Sequence, residues 1–502
     1  MNTSSKKALV MLLALILVLA IVVVSCKKDE AAPVTVQPQI SLGTANFSKY
    51  VAIGNSLTAG YQSGGVRARD EQYAYPNLLA RHLSLTDFQQ PKIKDPGIGP
   101  VKRLVSLTGP VIVDDSSVAP VDPTSNLNFS LNRAYNNLGV PGMLLAEAFD
   151  ETPFLVRAAP PRSNPFFYQV LRADSLGKSI VAQARKLNPT FITLWLGNND
   201  ILGYATTGGV GAAPTDPAAF ATSYGRLLDT LKNLSTTPGI VVGNIPDVYT
   251  VPFFTTVGPQ IKALVLPRLP AGAKLYFQAA RNVNAQLPRD STIFTETSQP
   301  LITLAGSAYV SLIGQPTGKW YRDLSVRIGV PLATLVSVVL PGTGGTTVID
   351  TTKPFGVDRR NPWPNALTLD ATEQATAASI TSAYNSTISS LAAARNIGVV
   401  DFNRFLRDIN QNGVFVSNYG TFSTSFISGG MFSYDGVHPT SRGYVIVANE
   451  WIKAINQKFN ATIPMIDVGA APGIPIGKIS SNAAGDYGSF DSFIRLIVGN
   501  RW

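Results

Sequence analysis

Short runs that are wholly apolar alternate with helix-like segments from about residue 47 onward, and this alternation limits the possible folds more than any other feature of the sequence. Runs that are apolar on both faces are typical of strands buried inside a parallel sheet. The runs predicted as strands are residues 50–53, 191–196, 239–243 and 397–402. Since strands that alternate with helices form βαβ units, we expect an α/β fold with three layers, α/β/α, and a mostly parallel sheet.

The segments between these runs carry helix signals. Pro76 stands in the first turn of one segment, where its missing N–H costs nothing. Thr440 can cap another, whose apolar positions keep the helical period. The predicted helices are residues 75–83, 175–187, 220–234, 367–395 and the segment after Thr440. Ligands bind beyond the carboxyl ends of parallel strands, so we expect a site among the residues that follow the strands.

Two stretches interrupt the alternation, and loop-rich insertions are predicted there. Residues 86–133 are rich in Pro and Gly and predict loops or a hairpin. Residues 256–365 predict an insertion packed over or beside the edge of the sheet that carries the site. Because the α/β pattern resumes afterwards, residues 46–460 are predicted to form one domain. A tail rich in Gly and Pro, residues 461–502, follows it.

The N-terminus has the pattern of a secretory signal. Lys6 and Lys7 precede an unbroken apolar stretch, residues 8–24, and small residues follow at a cleavage point. The alternative is an uncleaved signal anchor, although the stretch is slightly short for a spanning helix. The pattern therefore predicts export across a membrane.

The end of this signal suggests a lipid anchor. Residues 23–26, Val-Val-Ser-Cys, resemble the lipobox of bacterial lipoproteins, and Cys26 is the single cysteine of the chain. The resemblance implies a signal peptide at residues 1–25, a lipidated Cys26 and a tether at residues 26–45. We therefore expect a protein of the bacterial cell envelope, anchored to the outer membrane on its periplasmic or surface side.

The distribution of charge along the chain does not favour nucleic acid as a partner. The formal net charge is +10, but the Lys and Arg residues are scattered and no run resembles a nucleic-acid-binding arm. We therefore expect the basic residues to lie on a solvated surface. Any attraction to anionic membranes would be unspecific.

Polar residues that suit ester hydrolysis follow the predicted strands. Hydrolysis through a serine needs a base within reach of the hydroxyl, a carboxylate that orients the base, and donors for the oxyanion. Ser56 follows the first predicted strand, and His438 lies in an Asp-x-x-His turn that begins at Asp435. The chain has two histidines, and His82 lies within a predicted helix, so His438 is the expected base. Its alternative role is that of a capping or buried histidine.

Stretches of this sequence resemble the signature blocks of the SGNH hydrolases, also called GDSL esterases and lipases. They are residues 54–57, Gly-Asn-Ser-Leu; residues 137–142, which end in Gly142; residues 197–200, Gly-Asn-Asn-Asp; and residues 435–438, Asp-Gly-Val-His. Asn55 departs from the family, which has Asp at this supporting position. Within the second block, Gly142 is a better match than Gly139. The resemblance covers most of residues 46–460 apart from the two insertions.

The resemblance assigns a role to each block and implies the flavodoxin-like α/β/α fold of the family. It implies that Ser56 is the nucleophile, that His438 is the base and that Asp435 orients it. The implied oxyanion hole consists of the N–H groups of Ser56 and Gly142 and the side-chain amide of Asn199.

The sequence does not favour an α/β-hydrolase nucleophile motif, a phosphate-binding loop or a metal site. The Gly-x-Ser-x-Gly pattern of α/β hydrolases fails because position 58 is Thr. Residues 177–179, Gly-Lys-Ser, lack the earlier glycine of a phosphate loop and favour a helix interior. With one cysteine and two histidines, neither a metal site nor a cofactor is predicted.

The sequence therefore predicts a serine esterase that hydrolyses carboxylic esters through an acyl-enzyme on Ser56. Lipid esters and acetylated carbohydrates both remain open as substrates, because the insertions that would shape the pocket carry no recognisable motif. The alternative function is that of a non-catalytic cell-surface lipoprotein of the same fold, which binds a glycan or a partner. The sequence leaves the oligomeric state open.

Overall fold

The computed structural model of this chain describes residues 40–106, 111–114, 123–152, 164, 166–211, 213–270, 274–278, 292–294, 300–337 and 348–473. The predictions for the signal peptide, for Cys26, for most of the tether and for the tail beyond residue 473 lie outside the described residues. Among the residues described, no helix is long and apolar enough to cross a membrane. The chain divides into Met1–Ser41 and Leu42–Trp502, and the sheet and its helices belong to the second unit.

The secondary structure alternates between strands and helices. The strands, numbered in chain order, are β1 Tyr50–Gly54, β2 Lys102–Ser106, β3 Val111–Asp114, β4 Asn137–Gly139, β5 Phe191–Trp195, β6 Gly239–Gly243, β7 Leu275–Phe277, β8 Thr292–Phe294, β9 Leu301–Ile302, β10 Thr368–Leu369, β11 Gly398–Val400, β12 Val414–Val416 and β13 Gly420–Phe422. The α-helices are Ser56–Ala59, Ala68–Glu71, Tyr75–His82, Phe166–Leu171, Ile180–Lys186, Asn199–Thr206, Pro217–Lys232, Pro252–Thr255, Val257–Gln260, Lys319–Ile328, Leu332–Val336, Ala371–Ala394, Phe402–Asn412 and Ser441–Phe459.

The central sheet has five strands in the order β11-β6-β5-β1-β4, and every pairing in it is parallel. All residues of β1, β4 and β5 are buried, which explains the continuous apolar runs of β1 and β5. Helices pack around the sheet in two layers. Tyr75–His82 packs against Ser441–Phe459 in one layer, and Pro217–Lys232 packs against Ala371–Ala394 in the other. The α/β fold predicted from the apolar runs is confirmed.

The order of the strands reverses beside β1. The next strand of the sheet along the chain, β4, lies on one side of β1, and the following one, β5, lies on the other. This is the strand order of flavodoxin-like sheets, in which the loops after the first and third strands separate and leave a crevice. The residues that directly follow β1 and β5 therefore border one crevice at the carboxyl edge.

Stacked aromatic rings hold this part of the sheet in place. The ring of Trp195, at the end of β5, stacks on Phe402 with ring centroids 3.9 Å apart. Trp451 stacks on Tyr75 at 4.9 Å and meets Trp195 edge-on at 6.1 Å. Aromatic pairs of this kind contribute about 0.5–1.5 kcal/mol each beyond the burial of their area. The carboxyl end of β5, next to the crevice, is therefore closely packed.

The two interrupting stretches contain small sheets of their own. In residues 86–133, β2 and β3 form an antiparallel hairpin. Residues 256–365 contribute most of a second cluster of buried apolar side chains, whose members include Trp320 and Trp363. Tyr434 belongs to the same cluster, so the insertion packs directly beside the turn that precedes His438.

The predicted helix over residues 175–187 is wrong in its first half. A 3-10 turn, Asp174–Leu176, ends at Gly177, whose φ of +122° no helix can accommodate. The α-helix begins only at Ile180, after Ser179 caps it by accepting a hydrogen bond from the N–H of Ala182 at 3.2 Å. Residues 177–179 are therefore a turn and a helix cap, not a helix interior.

The helix Phe402–Asn412 is absent from the sequence prediction, which ended its last strand at residue 402. Asp401 caps this helix, and its side chain accepts a hydrogen bond from the N–H of Arg404. The buried positions Phe402, Leu406 and Ile409 keep the helical period. The predicted strand therefore extends two residues beyond β11, because Phe402 suits a strand and a helix equally well.

Candidate active site

Ser56 lies at the carboxyl edge of the sheet because β1 ends in a turn that only glycine allows. A Cβ added at Gly54 would lie 2.0 Å from Oγ1 of Thr58 and 2.8 Å from the carbonyl oxygen of Trp195. Asn55 then caps the short helix Ser56–Ala59 by accepting a hydrogen bond from the N–H of Leu57 at 3.0 Å. Ser56 is thus the first residue of that helix, and it is 7% exposed.

Ser56, His438 and Asp435 form one hydrogen-bonded row. Oγ of Ser56 lies 2.8 Å from Nε2 of His438, and Nδ1 of His438 lies 3.0 Å from Oδ2 of Asp435. A carboxylate can only accept, so the ring hydrogen is on Nδ1 and Nε2 is left to accept from the serine hydroxyl. The row therefore has the arrangement that deprotonates a serine.

Asp435 is held ionised by its surroundings. Burial opposes its charge, but the attraction of His438 and hydrogen bonds from the N–H groups of His438 and Val437 outweigh burial and lower its pKa to about 2. The N–H of Gly64 donates to Oδ2 at 2.8 Å, and Oδ1 accepts from the N–H of His438 at 2.8 Å and of Val437 at 2.9 Å. Ser433 donates to Oδ1 at 3.4 Å. The carboxylate is thus fixed from several sides.

A turn that begins at Tyr61 supports both the histidine and the aspartate. The ring of Tyr61 lies 4.6 Å from that of His438, and its hydroxyl donates to the carbonyl oxygen of Gly64. The N–H of Ser63 donates to Oγ of Ser433 at 2.8 Å. Because Gly64 itself donates to Asp435, the turn restrains the ring and the carboxylate together.

The candidate oxyanion donors lie on the loops after β4 and β5. Asn199 begins the helix Asn199–Thr206, and its amide nitrogen donates to the carbonyl oxygen of Met143 at 3.0 Å. Gly142 lies next to Met143, is exposed and has a φ of +76°. Asn199 is thus tied to the loop that carries Gly142, and both follow strands that flank β1.

Gly139 has a packing role instead. It is buried, and a Cβ added there would lie 2.4 Å from the backbone nitrogen of Ala59. The glycine thus lets β4 approach the helix that carries Ser56.

Asn55, the residue that departs from the family pattern, joins two of the predicted blocks. Its amide nitrogen donates to Oδ1 of Asn198 at 3.0 Å, and both side chains are buried. The turn after β1 is therefore bonded to the turn after β5, which keeps Ser56 and Asn199 in a fixed relation.

An apolar cleft opens beside this row, with an empty volume of about 700 Å³ that includes its opening to solvent. Ser56, His438 and Asn199 all line it. Pro246, in the turn after β6, lines the cleft as well, and the sequence analysis did not identify it. Phe402, Phe405 and Leu406 of the helix Phe402–Asn412 also line it, and their spacing of three and four residues was the signal that could have revealed them.

The other predicted residues lie elsewhere. His82 is half-buried, and its Nε2 lies 2.8 Å from the carbonyl oxygen of Pro464, not in the row. Cys26 lies outside the described residues. Within the described part of the chain, no group of three or more His, Cys, Asp or Glu residues is arranged to hold a metal ion.

A serine, a histidine and an aspartate joined in this way at the crevice of a parallel α/β sheet have the arrangement of a serine hydrolase, a class that includes esterases and peptidases. The sequence model of the GDSL-like lipases and acylhydrolases matches residues 50–304 and 330–451. The chain belongs to this family.

A crystal structure of LAE5, an alpha/beta hydrolase enzyme from the metagenome of Lake Arreo, Spain, aligns with 83% of this chain and 98% of its own at 11% identity, with a TM-score of 0.30. No curated protein matches the sequence.

Proposed function

We propose that the protein is a serine esterase that hydrolyses carboxylic esters through an acyl-enzyme on Ser56. The observation that carries the proposal is the row of contacts from Ser56 Oγ to His438 Nε2 at 2.8 Å and from His438 Nδ1 to Asp435 Oδ2 at 3.0 Å. Family membership supports an ester substrate in general.

Acylation begins when Nε2 of His438 accepts the hydroxyl proton of Ser56 while Oγ attacks the ester carbonyl carbon. The carbonyl π electrons move onto oxygen, and the oxyanion is bound by the N–H groups of Ser56 and Gly142 and by the amide of Asn199. When the intermediate collapses, the ester C–O bond breaks and the alcohol leaves with the proton from His438. Water then attacks the carbonyl carbon of the acyl-enzyme while His438 accepts its proton. When this second intermediate collapses, the bond to Oγ of Ser56 breaks, the serine takes the proton back from His438, and the acid is released.

Asp435 acts through His438 and not on the substrate. Its low pKa, about 2, keeps it ionised while His438 carries the transferred proton. The negative charge stabilises the imidazolium and holds the ring in the tautomer that leaves Nε2 free to accept. The centroid of the Tyr61 ring lies 4.6 Å from that of the His438 ring, so Tyr61 limits rotation of the imidazole.

Kinetics on an activated ester test this proposal. Ser56→Ala and His438→Ala should each lower kcat by about 10⁴-fold or more, because they remove the nucleophile or its base. The matched control is His82→Ala, since Nε2 of His82 lies 2.8 Å from the carbonyl oxygen of Pro464 and His82 lies outside the row. A folded His438→Ala enzyme with wild-type kcat, or a loss that follows His82 instead, would overturn the proposed base. A wild-type protein that cleaves no ester would favour the alternative, a binding lipoprotein.

A further inference from the structure

The cleft beside Ser56 is polar at one end and apolar elsewhere. Its polar lining residues are hydrogen-bonded to one another or adjacent in the chain, and they are Asn55, Ser56, Asn198, Asn199 and His438. Its other lining residues are all apolar: Leu57, Trp195, Leu202, Pro246, Val248, Val251, Phe402, Phe405, Leu406, Met431, Phe432, Val437, Pro439 and Val447. Among the described residues that line it, none is Lys, Arg, Asp or Glu. Such a surface binds hydrocarbon and offers sugar hydroxyls no partner away from the reacting atoms.

The polar atom of the largest lining side chain is turned to the protein. Nε1 of Trp195 donates to the carbonyl oxygen of Asn244 at 2.9 Å, so the indole presents only carbon to the cleft. Its ring stacks on Phe402 at 3.9 Å with an interplanar angle of 17°. This wall is therefore both apolar and fixed.

The neighbouring wall is fixed by buried amides. The N–H of Asn403 donates to Oδ1 of Asn244 at 2.9 Å, and the amide of Asn403 donates to the carbonyl oxygen of Ile245 at 3.0 Å. These bonds fasten the start of the helix Phe402–Asn412 to the turn after β6. The cleft is thus formed before a ligand binds, and a bound chain need not order it.

The position of the cleft relates it to the acyl part of an ester. Asn199 and Leu202 lie three residues apart on one helix and therefore on the same face, so the apolar wall begins beside the oxyanion donor. The cleft is lined by residues that follow β1, β5, β6 and β11 and by residues on both sides of His438. Gly142, which follows β4 on the other side of β1, does not line it.

We propose that this cleft binds the acyl chain of the substrate, and that the enzyme acts on esters of medium-length fatty acids and not on acetyl esters. This inference rests on the proposed function. An acetyl group would leave most of the apolar surface in contact with water. Each methylene that enters the cleft should instead raise kcat/KM by about 4-fold, until the cleft is full.

A pair of ester series tests the assignment. The first series varies the acid from acetyl through butyryl and hexanoyl to octanoyl with p-nitrophenol as the constant alcohol. The second varies the alcohol of an acetyl ester over the same lengths. In the first series kcat/KM should rise by about 250-fold from acetyl to hexanoyl, and in the second it should stay nearly constant. A preference for acetyl, or a rise only in the second series, would overturn the acyl assignment while leaving the esterase intact. Failure to cleave any ester would overturn both proposals.

Substitutions that fill or enlarge the cleft test whether the dependence of kcat/KM on acyl length arises there. Leu202→Trp should lower the ratio of octanoyl to acetyl kcat/KM by at least about 10-fold, because the larger ring occupies the space of several methylenes. Phe405→Ala should shift the optimum to a longer acid. The matched control is Leu391→Trp, since Leu391 is also half-buried on a helix but does not line the cleft. With folding checked by circular dichroism, equal ratios in Leu202→Trp and Leu391→Trp would contradict the proposal.

Discussion

At the scale of single residues, Asn199 tests the oxyanion hole, because its side-chain donor can be removed while the backbone donors of Ser56 and Gly142 stay in the chain. Asn199→Ala should lower kcat by about 10²–10³-fold and change KM little, since the donor acts mainly in the transition state. Asn199→Asp should be at least as harmful, because a carboxylate would face the oxyanion. The measurement is kcat and KM on an activated ester. A folded Asn199→Ala enzyme with wild-type kcat would exclude the oxyanion role even if Ser56 proved essential.

Asp435 makes the stability of the protein depend on pH in the acid range. Its pKa in the folded protein is about 2, below the ordinary value of 3.8. A carboxyl group with a lowered pKa stabilises the fold above its unfolded pKa, and the contribution is lost as pH falls through the folded value. The contribution at neutral pH is on the order of 2 kcal/mol, and about half of it should be lost by about pH 3.

The variant Asp435→Asn isolates this contribution, since it keeps an oxygen that can accept from the backbone. The difference in free energy of unfolding between the wild type and Asp435→Asn, measured with denaturant, should be largest near neutral pH and should shrink between about pH 5 and pH 3. A difference that stays constant over this range would contradict a lowered pKa of Asp435 in the folded protein.

At the scale of elements, the turn after Tyr61 is predicted to position Asp435. Gly64 has a φ of +89°, and a Cβ added there would lie 2.3 Å from the carbonyl oxygen of Pro100. Gly64→Ala should therefore displace the N–H that donates to Asp435, and it should lower both stability and kcat. The matched control is Gly329→Ala at a φ of +69°, where no described residue outside the local chain lies within 4 Å of the added Cβ. It should cost about 1–2 kcal/mol of stability and leave kcat unchanged.

Equal effects of the two glycine substitutions on kcat would show that the turn is not needed for catalysis. Thermal unfolding and kcat of both variants give the comparison. If Gly64→Ala is folded and retains wild-type kcat, its N–H does not position Asp435.

The elements predicted well are those in which burial leaves a local pattern. β1, β5 and β6 could be predicted because strands covered on both faces are continuous apolar runs. The capped helix after Thr440 was predicted for a similar reason, and it is Ser441–Phe459. β4 was recognised as a motif but not as a strand, because three residues are too few to show a period.

The candidate site was only partly visible in the sequence. Ser56, His438 and Asp435 could be named because their chemistry and family spacing are local features. The bond from Gly64 to Asp435 joins residues 371 positions apart, and no local pattern encodes it. The apolar walls of the cleft likewise come from separate segments that only the fold brings together.

At the scale of the whole molecule, we propose that a lipid on Cys26 anchors the enzyme to the cell envelope. The motivation is the lipobox-like stretch at residues 23–26 and the single cysteine. Cys26→Ala should give an unprocessed precursor or protein released from the membrane fraction, measured by fractionation and intact mass. Ser25→Ala is the matched control, because it keeps a small residue before the cysteine and should be processed as in the wild type. A Cys26→Ala protein that is cleaved and membrane-bound as before would contradict the anchor.

The central claim is that Ser56 is an activated nucleophile, and labelling with a fluorophosphonate tests it most directly. Only a serine whose hydroxyl is deprotonated by a neighbouring base reacts readily with such a probe. Peptide mapping of the labelled wild-type protein should place the adduct on Ser56, and labelling should be lost in Ser56→Ala and strongly reduced in His438→Ala. Labelling of another serine, or equal labelling of the wild type and a folded Ser56→Ala variant, would contradict the claim.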